Sequence, residues 1–175
     1  MKTSASERRA QRGFTLVEIM ISVAIVGALA SVAIPQLDRA TLRARTAERK
    51  TVLPALGRAI TDTISVQQRL PLNPWAGDAN PPGPPTRTKR RVDWTLAGWL
   101  DVPMVIQGDC YYTYQFVAED PAGTGDDVTL SVTATGDLDQ DGDPSVKVVL
   151  WRATGYAFQV DSEIPVAGAE DQGTF

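Results

Sequence analysis

The densest group of potential metal ligands in the sequence is the stretch GDLDQDGDPS, residues 136–145. Aspartates occupy every second position over seven residues, and a glycine follows the third, as in the first half of a D-x-D-x-D-G calcium loop. Hard carboxylate oxygens on alternate residues can converge on one cation where the glycine turns the backbone. The sequence therefore predicts a Ca²⁺ site whose side-chain ligands are Asp137, Asp139, Asp141 and Asp143.

This match to a calcium loop is partial. The twelfth residue counted from Asp137 is Val148, where an EF-hand has its bidentate glutamate, so a helix-loop-helix calcium site is excluded. Any site must borrow backbone carbonyls or other side chains, such as Ser145. The alternative is an Asp- and Gly-rich hairpin turn, because both residue types are favoured in turns for local reasons. A plain turn, however, has no need of four carboxylates that repel one another.

The residue inventory argues against catalysis. The 175 residues include no histidine, which removes the commonest general base and the commonest transition-metal ligand. The single cysteine, Cys110, cannot form an intrachain disulfide, and we expect it to be a small buried residue in a strand. A membrane-anchored extracellular hydrolase that uses carboxylates is a remote alternative, for which residues 137–143 would be the only dense cluster. We predict that the chain is not an enzyme.

A further carboxylate, Glu18, lies inside an apolar run. Residues 14–34 contain this one charge among 21 residues, and a helix of that length spans roughly 30 Å, the thickness of a bilayer core. An unpaired carboxylate inside lipid costs about 2.5–3.5 kcal/mol. No basic side chain lies between Arg12 and Arg39, so the run itself offers Glu18 no partner of opposite charge.

A basic leader, residues 1–13, precedes the apolar run. A cut between Gly13 and Phe14 would create an ammonium group one helical turn from Glu18 and so supply the missing cation. The acid also lies in the first turn of the helix, where the helix dipole favours a negative charge. An ordinary secretory signal is the alternative, but its apolar stretch is about 7–15 residues long and a small-residue cleavage site follows it.

The stretch RGFTLVEIMISVAIVGALASVAIP closely resembles the N-terminus of type IV prepilins and of the pseudopilins of type II secretion. The residues that carry the resemblance are Gly13, Phe14, Thr15, Leu16, Glu18 and Pro35. It implies that Gly13 ends a leader removed by a prepilin peptidase and that Phe14 becomes the N-methylated mature N-terminus. It also implies that Glu18 pairs with the amino group of Phe14 on a neighbouring subunit during assembly.

The same resemblance implies a function and a location. The chain would be a pilin-like subunit, single-pass in the lipid of the bacterial inner membrane, that polymerises through its apolar helix on an inner-membrane assembly platform. It would form a homo-oligomer or co-assemble with other pilins into a cell-surface pilus or a periplasmic pseudopilus. A major pilin, and a minor pilin or secretion pseudopilin that acts as a binding or priming module, stay open, as do roles in motility, adhesion or secretion. Several pilins and pseudopilins hold calcium in a C-terminal loop.

The remaining pattern predicts an α+β fold in which one long helix packs on a small antiparallel sheet. Residues 14–35 form the membrane-spanning half of the helix, and residues 36–70 continue it as an amphipathic half. The apolar stripe expected to face the sheet comprises Leu42, Val52, Leu53, Leu56, Ile60 and Ile64. The basic residues expected to face outward or toward adjacent subunits are Arg39, Arg43, Arg49 and Arg58.

The C-terminal part divides into a loop and a sheet. Residues 71–92 contain six prolines and end in the basic run RTKRR, which predicts an exposed loop. We expect the basic run to be a solvated loop end; the alternative is that it touches acidic neighbours in a fibre. Residues 93–175 contain CYYTYQFVAE, DVTLSVTAT, SVKVVLWRA and GYAFQVD, which predict three or four strands in an antiparallel meander.

Charge is divided unevenly along the chain. The net charge is −4, yet residues 14–92 carry eleven basic and five acidic side chains, whereas residues 93–175 carry two basic and fifteen acidic ones. An acidic folded part repels phosphate and attracts cations. We therefore expect no binding of nucleic acid.

Overall fold

The structure is a computed structural model of the chain and describes residues 13–140 and 142–165. Helix α1 runs from Leu16 to Gln67, 52 residues. The strands that follow in the described part of the chain are β1 (Trp75–Asn80), β2 (Arg90–Arg91), β3 (Asp109–Cys110), β4 (Thr113–Glu119), β5 (Val128–Gly136), β6 (Ser145–Thr154) and β7 (Ala157–Pro165). Residue contacts divide the chain into two compact units, with the boundary after Asp38.

Helix α1 continues through both of its prolines, Pro35 and Pro54. Each proline removes one backbone donor and disfavours the helical geometry of the residue before it. A helix of this length retains the bonds on either side, and the part beyond Arg39 is also held by packing. The prediction of one helix through the apolar run and its amphipathic continuation is therefore confirmed, with the helix ending at Gln67.

The main sheet has five strands in the order β1-β4-β5-β6-β7, and every neighbouring pair is antiparallel. Strands β4 to β7 are consecutive in sequence and form the predicted meander. Strands β2 and β3 pair separately, and Cys110 in β3 is 1% exposed. The predicted α+β fold, with a long N-terminal helix and an antiparallel sheet, is confirmed.

Strand β1 lies inside the Pro-rich segment that the sequence predicts to be an exposed loop. It extends the sheet beyond β4, so the sheet begins before residue 93. Trp75 is fully buried, its ring meets that of Phe116 edge-on at 5.3 Å, and its Nε1 donates to the carbonyl of Gly98 at 3.0 Å. Burial of this indole and the backbone pairing with β4 stabilise the strand. The prolines on either side favour a loop, so the sequence does not indicate a strand here.

The core of the second unit forms where the apolar stripe of α1 packs on the sheet. Five of the six predicted stripe residues are buried, and Val52 is partly buried against the same core. The buried five are Leu42, Leu53, Leu56, Ile60 and Ile64. On the sheet, alternate residues of β5, from Val128 to Ala134, are fully buried. The helical repeat of α1 and the two-residue repeat of the strands thus meet in one core.

Candidate functional site

The predicted processing site lies where α1 begins. Gly13 and Phe14 are exposed and lie outside the helix, which starts at Leu16. The Oγ1 atom of Thr15 accepts the backbone N–H of Glu18 at 3.2 Å, so Thr15 is the N-cap. The order Thr-x-x-Glu is that of a capping box, which fixes the first turn of the helix. The Gly13–Phe14 bond is therefore accessible next to a helix start that its own sequence specifies.

Glu18 is exposed in the first turn of α1. Its carboxylate makes no hydrogen bond or ion pair with any residue in the described ranges. The helix dipole favours a negative charge at this position by a few tenths of a kcal/mol, far less than the cost of placing a carboxylate in lipid. The geometry thus leaves Glu18 available to a cation from beyond the described residues.

The surface of the first unit is apolar and uncovered. Every large hydrophobic side chain from Phe14 to Leu37 is at least 50% exposed. By length and composition α1 could cross a membrane, because its most apolar window of 18 residues has a mean hydropathy of 2.3 and is 0% buried. The hydroxyls of Ser22 and Ser31 donate to helix carbonyls at 2.7 Å, so they do not oppose an apolar environment.

The predicted calcium ligands lie on the turn between β5 and β6. Asp137 Oδ1 accepts the backbone N–H of Gln140 at 2.8 Å, and Gln140 itself has φ of 62°, as in a tight turn closed by an aspartate. Asp139 and Asp143 are exposed, and Asp141 lies outside the described residues. Within those residues, no three acidic or cysteine side chains are grouped closely enough to hold a metal ion. Calcium binding therefore stays a prediction, and any site would need Asp141 or backbone oxygens.

Arg49 is the clearest departure from the sequence prediction, which places it on the outer face of the helix. It is 2% exposed, its Nη1 donates to Ser145 Oγ at 2.5 Å, and its guanidinium lies 5.3 Å from the ring centroid of Tyr112. The signal for burial is its position in the helical row of Leu42, Thr46 and Leu53. Its charge favours exposure, but the Ser145 hydroxyl on β6 and the ring of Tyr112, which lies between β3 and β4, compensate the loss of water.

A cluster of tyrosines around Glu48 also escapes sequence analysis. Glu48 Oε1 accepts the backbone N–H groups of Tyr111 at 2.9 Å and Tyr112 at 3.3 Å, and the hydroxyl of Tyr114 at 3.4 Å. Burial raises the pKa of Glu48, although these hydrogen bonds oppose that rise. Burial raises the pKa of Cys110 to about 12, so this thiol is inert at neutral pH. The cluster ties the helix to the sheet and offers no nucleophile.

The fold and the start of α1 define a class of protein: a pilin-like α+β protein with an uncovered apolar helix at its N-terminus. Residues 8–34 match the family model of the prokaryotic N-terminal methylation motif. The chain is 47% identical over 58 residues to the type IV major pilin protein PilA of Myxococcus xanthus, and the aligned region covers 33% of this chain and 26% of that protein.

Further relatives align over stretches of comparable length. The type IV major pilin protein PilE1 of Neisseria gonorrhoeae is 41% identical over 73 residues, which are 41% of this chain and 44% of the relative. A fimbrial protein of Pseudomonas aeruginosa is 45% identical over 56 residues, 32% of this chain and 36% of the relative. The chain thus spans less than half the length of these curated relatives. No solved structure gives a significant match.

Residues 8–34 therefore carry the N-terminal methylation motif, and part of the chain is similar to type IV pilins. This confirms the resemblance seen in the sequence at Gly13, Phe14 and Glu18. The relatives are named as pilin and fimbrial proteins, which agrees with the prediction of a non-enzyme.

Proposed function

We propose that this chain is a filament subunit, made as a membrane-anchored precursor and assembled through α1. A prepilin peptidase cuts between Gly13 and Phe14, and Phe14 is then N-methylated. The observation that carries the proposal is the uncovered apolar surface from Phe14 to Leu37. Exposed apolar area costs about 25 cal/mol per Å² in water, so this surface must be covered by lipid before assembly and by other subunits afterwards.

Glu18 supplies the specificity of this assembly. The Glu18 carboxylate has no partner among the described residues of its own copy. It and an ammonium group on Phe14 of a neighbour neutralise each other only when the helices stack in register. Lipid and the apolar helices lower the local dielectric, which strengthens that pair. The subunits therefore pass from the inner membrane into the filament without leaving a buried charge unpaired.

A surface pilus is the favoured filament, because the relatives named above are major pilins or fimbrial proteins. The assembly partners are then further copies of this chain, or other pilins, together with an inner-membrane platform. A minor pilin or a periplasmic pseudopilus subunit would use the same processing and the same helix. Abundance in sheared surface filaments separates these roles, since a major subunit forms most of the filament mass.

Mass spectrometry of the mature N-terminus tests the processing step. We expect the first peptide to begin at Phe14 and to carry the mass of one methyl group, and we expect the leader to remain in cells that lack the peptidase. A chain that still begins at Met1 in wild-type cells would refute the proposal.

A further inference from the structure

Two cations of the second unit share one aromatic ring. The guanidinium carbon of Arg45, on α1, lies 5.0 Å from the ring centroid of Tyr111, and so does the Nζ atom of Lys89, which comes from the Pro-rich segment. The two cationic groups are therefore no more than twice that distance apart. The fold brings together like charges that are 44 positions apart in the sequence.

These paired cations, Arg45 and Lys89, make no salt bridge with any residue that the structure describes. The Nη1 atom of Arg45 is buried and has no hydrogen-bond partner. Glu48, on the same stretch of helix, attracts Lys89 electrostatically but forms no salt bridge with it, and its Oε1 accepts three hydrogen bonds from the tyrosines. Two like charges held on one ring repel each other. An anion from another copy would lower this electrostatic repulsion.

The neighbouring arginine in the loop is used differently. Arg90 donates through Nη1 to the carbonyls of Pro82 and Gly83, at 2.9 and 3.1 Å, and through Nη2 to Thr113 Oγ1 at 2.5 Å. It therefore holds the Pro-rich segment against the start of β4. This contact fixes the position of Lys89. Arg90 thus departs from the predicted solvated run, whereas Arg87, Lys89 and Arg91 are exposed as predicted.

An acidic turn lies at the other end of β4. Tyr111 comes two residues before the first residue of β4, whereas Asp126 and Asp127 lie on the turn of residues 120–127 that joins Glu119 to β5. Seven residues of strand separate these ends by roughly 20 Å. Asp126 and Asp127 are exposed and make no salt bridge with described residues.

This acidic turn is rigid because a buried aspartate organises it. Asp120 is 3% exposed and accepts the backbone N–H groups of Gly123 at 2.9 Å and Gly125 at 3.1 Å. Its Oδ2 also accepts the hydroxyl of Tyr156 at 3.2 Å. The exposed acids are therefore presented on a fixed loop, which lowers the entropy lost when a partner binds.

We propose that Arg45 and Lys89 of one copy bind Asp126 and Asp127 of a second copy, end to end. Opposite charges at opposite ends of one strand form a heterologous contact, which repeats from copy to copy and builds a filament instead of a closed dimer. The Asp-rich turn of residues 137–143 lies at the Tyr111 end of the sheet, because Gly136 packs on Tyr112, and so it does not provide the second end. This contact rests on the proposed function and adds an electrostatic junction to the apolar one.

Charge reversal in the full chain, expressed in its host, tests the contact. Lys89→Glu alone, and Asp126→Lys with Asp127→Lys, should each lower the yield of sheared filaments about tenfold, because like charges then face each other at every junction. Lys89→Glu combined with Asp126→Lys should restore most of that yield. Arg58→Glu makes the same change of charge at an exposed position in the middle of the packed half of α1 and serves as the control that leaves the yield unchanged.

Cross-linking locates the contact directly. In filaments that carry Lys89→Cys and Asp127→Cys together, a short bismaleimide should produce a ladder of multimers, and either substitution alone should not. Native Cys110 is 1% exposed and does not compete. The proposal is overturned if no ladder forms, if the double charge reversal fails to rescue the filaments, or if Lys89→Glu affects only binding to vesicles of anionic lipid. If Lys89→Glu gives normal filaments and Glu18→Ala gives none, the proposed contact is wrong and the proposed function is still supported.

Discussion

Gly57 of α1 lies directly against the indole of Trp151 on β6: a Cβ atom at position 57 would be 2.2 Å from Cη2 of that ring. Trp151 is 6% exposed and belongs to the core beneath the helix. Because the ring occupies the space where any other residue has its side chain, this glycine sets the distance between α1 and the sheet.

Gly57→Ala should destabilise the second unit by about 1–3 kcal/mol, because the methyl group overpacks a rigid contact. Alanine is the better helix former by about 1 kcal/mol, and that gain is included in the net effect. Thermal unfolding of the full chain in detergent measures the change. Gly27→Ala is the matched control, since no atom lies within 4 Å of its Cβ position; it should leave the melting temperature unchanged or raise it. Equal stability of the two variants would contradict the close packing.

Glu18→Ala should leave processing intact and abolish filaments. The variant removes the anion that pairs with the Phe14 ammonium, but the Thr15 hydroxyl still accepts the N–H of residue 18, so the helix start at the cleavage site persists. Cleavage is read by the mobility of the mature chain, and assembly by electron microscopy of sheared material. Asp62→Ala removes an exposed acid from the same helix and should assemble normally. Normal filaments from Glu18→Ala would remove the pairing argument.

Arg49→Ala should cost about 2 kcal/mol of stability. It removes the donor to Ser145 Oγ and the cation over Tyr112, and it leaves a cavity between helix and sheet. Arg43→Ala, on the exposed face of the same helix, should change stability by less than about 0.5 kcal/mol. Denaturant unfolding of both full-length variants in detergent checks the difference. Indistinguishable midpoints would show that the buried arginine contributes nothing.

Stability should fall as pH rises above the ordinary pKa of a glutamate, because burial raises the pKa of Glu48 above 4.5. A raised carboxyl pKa means that the folded state binds the proton more tightly than the unfolded state, so this contribution is complete below 4.5 and is lost as pH rises through the folded value. Glu48→Gln keeps an oxygen acceptor for the Tyr111 amide and should flatten this part of the curve. The melting temperature recorded from pH 4 to about pH 7 tests it, with Asp62→Asn as an exposed control. An unchanged slope in Glu48→Gln would assign the pH dependence to other groups.

Calcium should raise the melting temperature if the Asp-rich turn binds it. A free concentration of one hundred times the dissociation constant adds about 2.7 kcal/mol, and a chelator should reverse the gain. Asp139→Asn removes one exposed carboxylate and should weaken the response, whereas Asp126→Asn on the other acidic turn should not. If the chelator leaves the melting temperature of the wild type unchanged, the stretch is only a hairpin turn closed by Asp137.

The sequence alone determined the parts of this protein that depend on neighbours in the chain. The cap at Thr15, the apolar run after Phe14 and the acid at position 18 are local patterns, and so are the two-residue repeats that became β4 to β7. Each element follows from the spacing of apolar residues and from the caps and turns at its ends.

Tertiary structure decided what happens where distant segments meet. Arg49 is buried because Ser145, 96 positions away, offers an acceptor, and no periodicity in the helix reports that partner. The Pro-rich segment around Trp75 forms a strand because β4 pairs with it through backbone hydrogen bonds and offers the ring of Phe116 to the indole. Tyr111 likewise gathers Arg45 and Lys89 from two segments. The free energy of burying a charge or an indole depends on the groups that replace water, and only the folded chain brings those groups into contact.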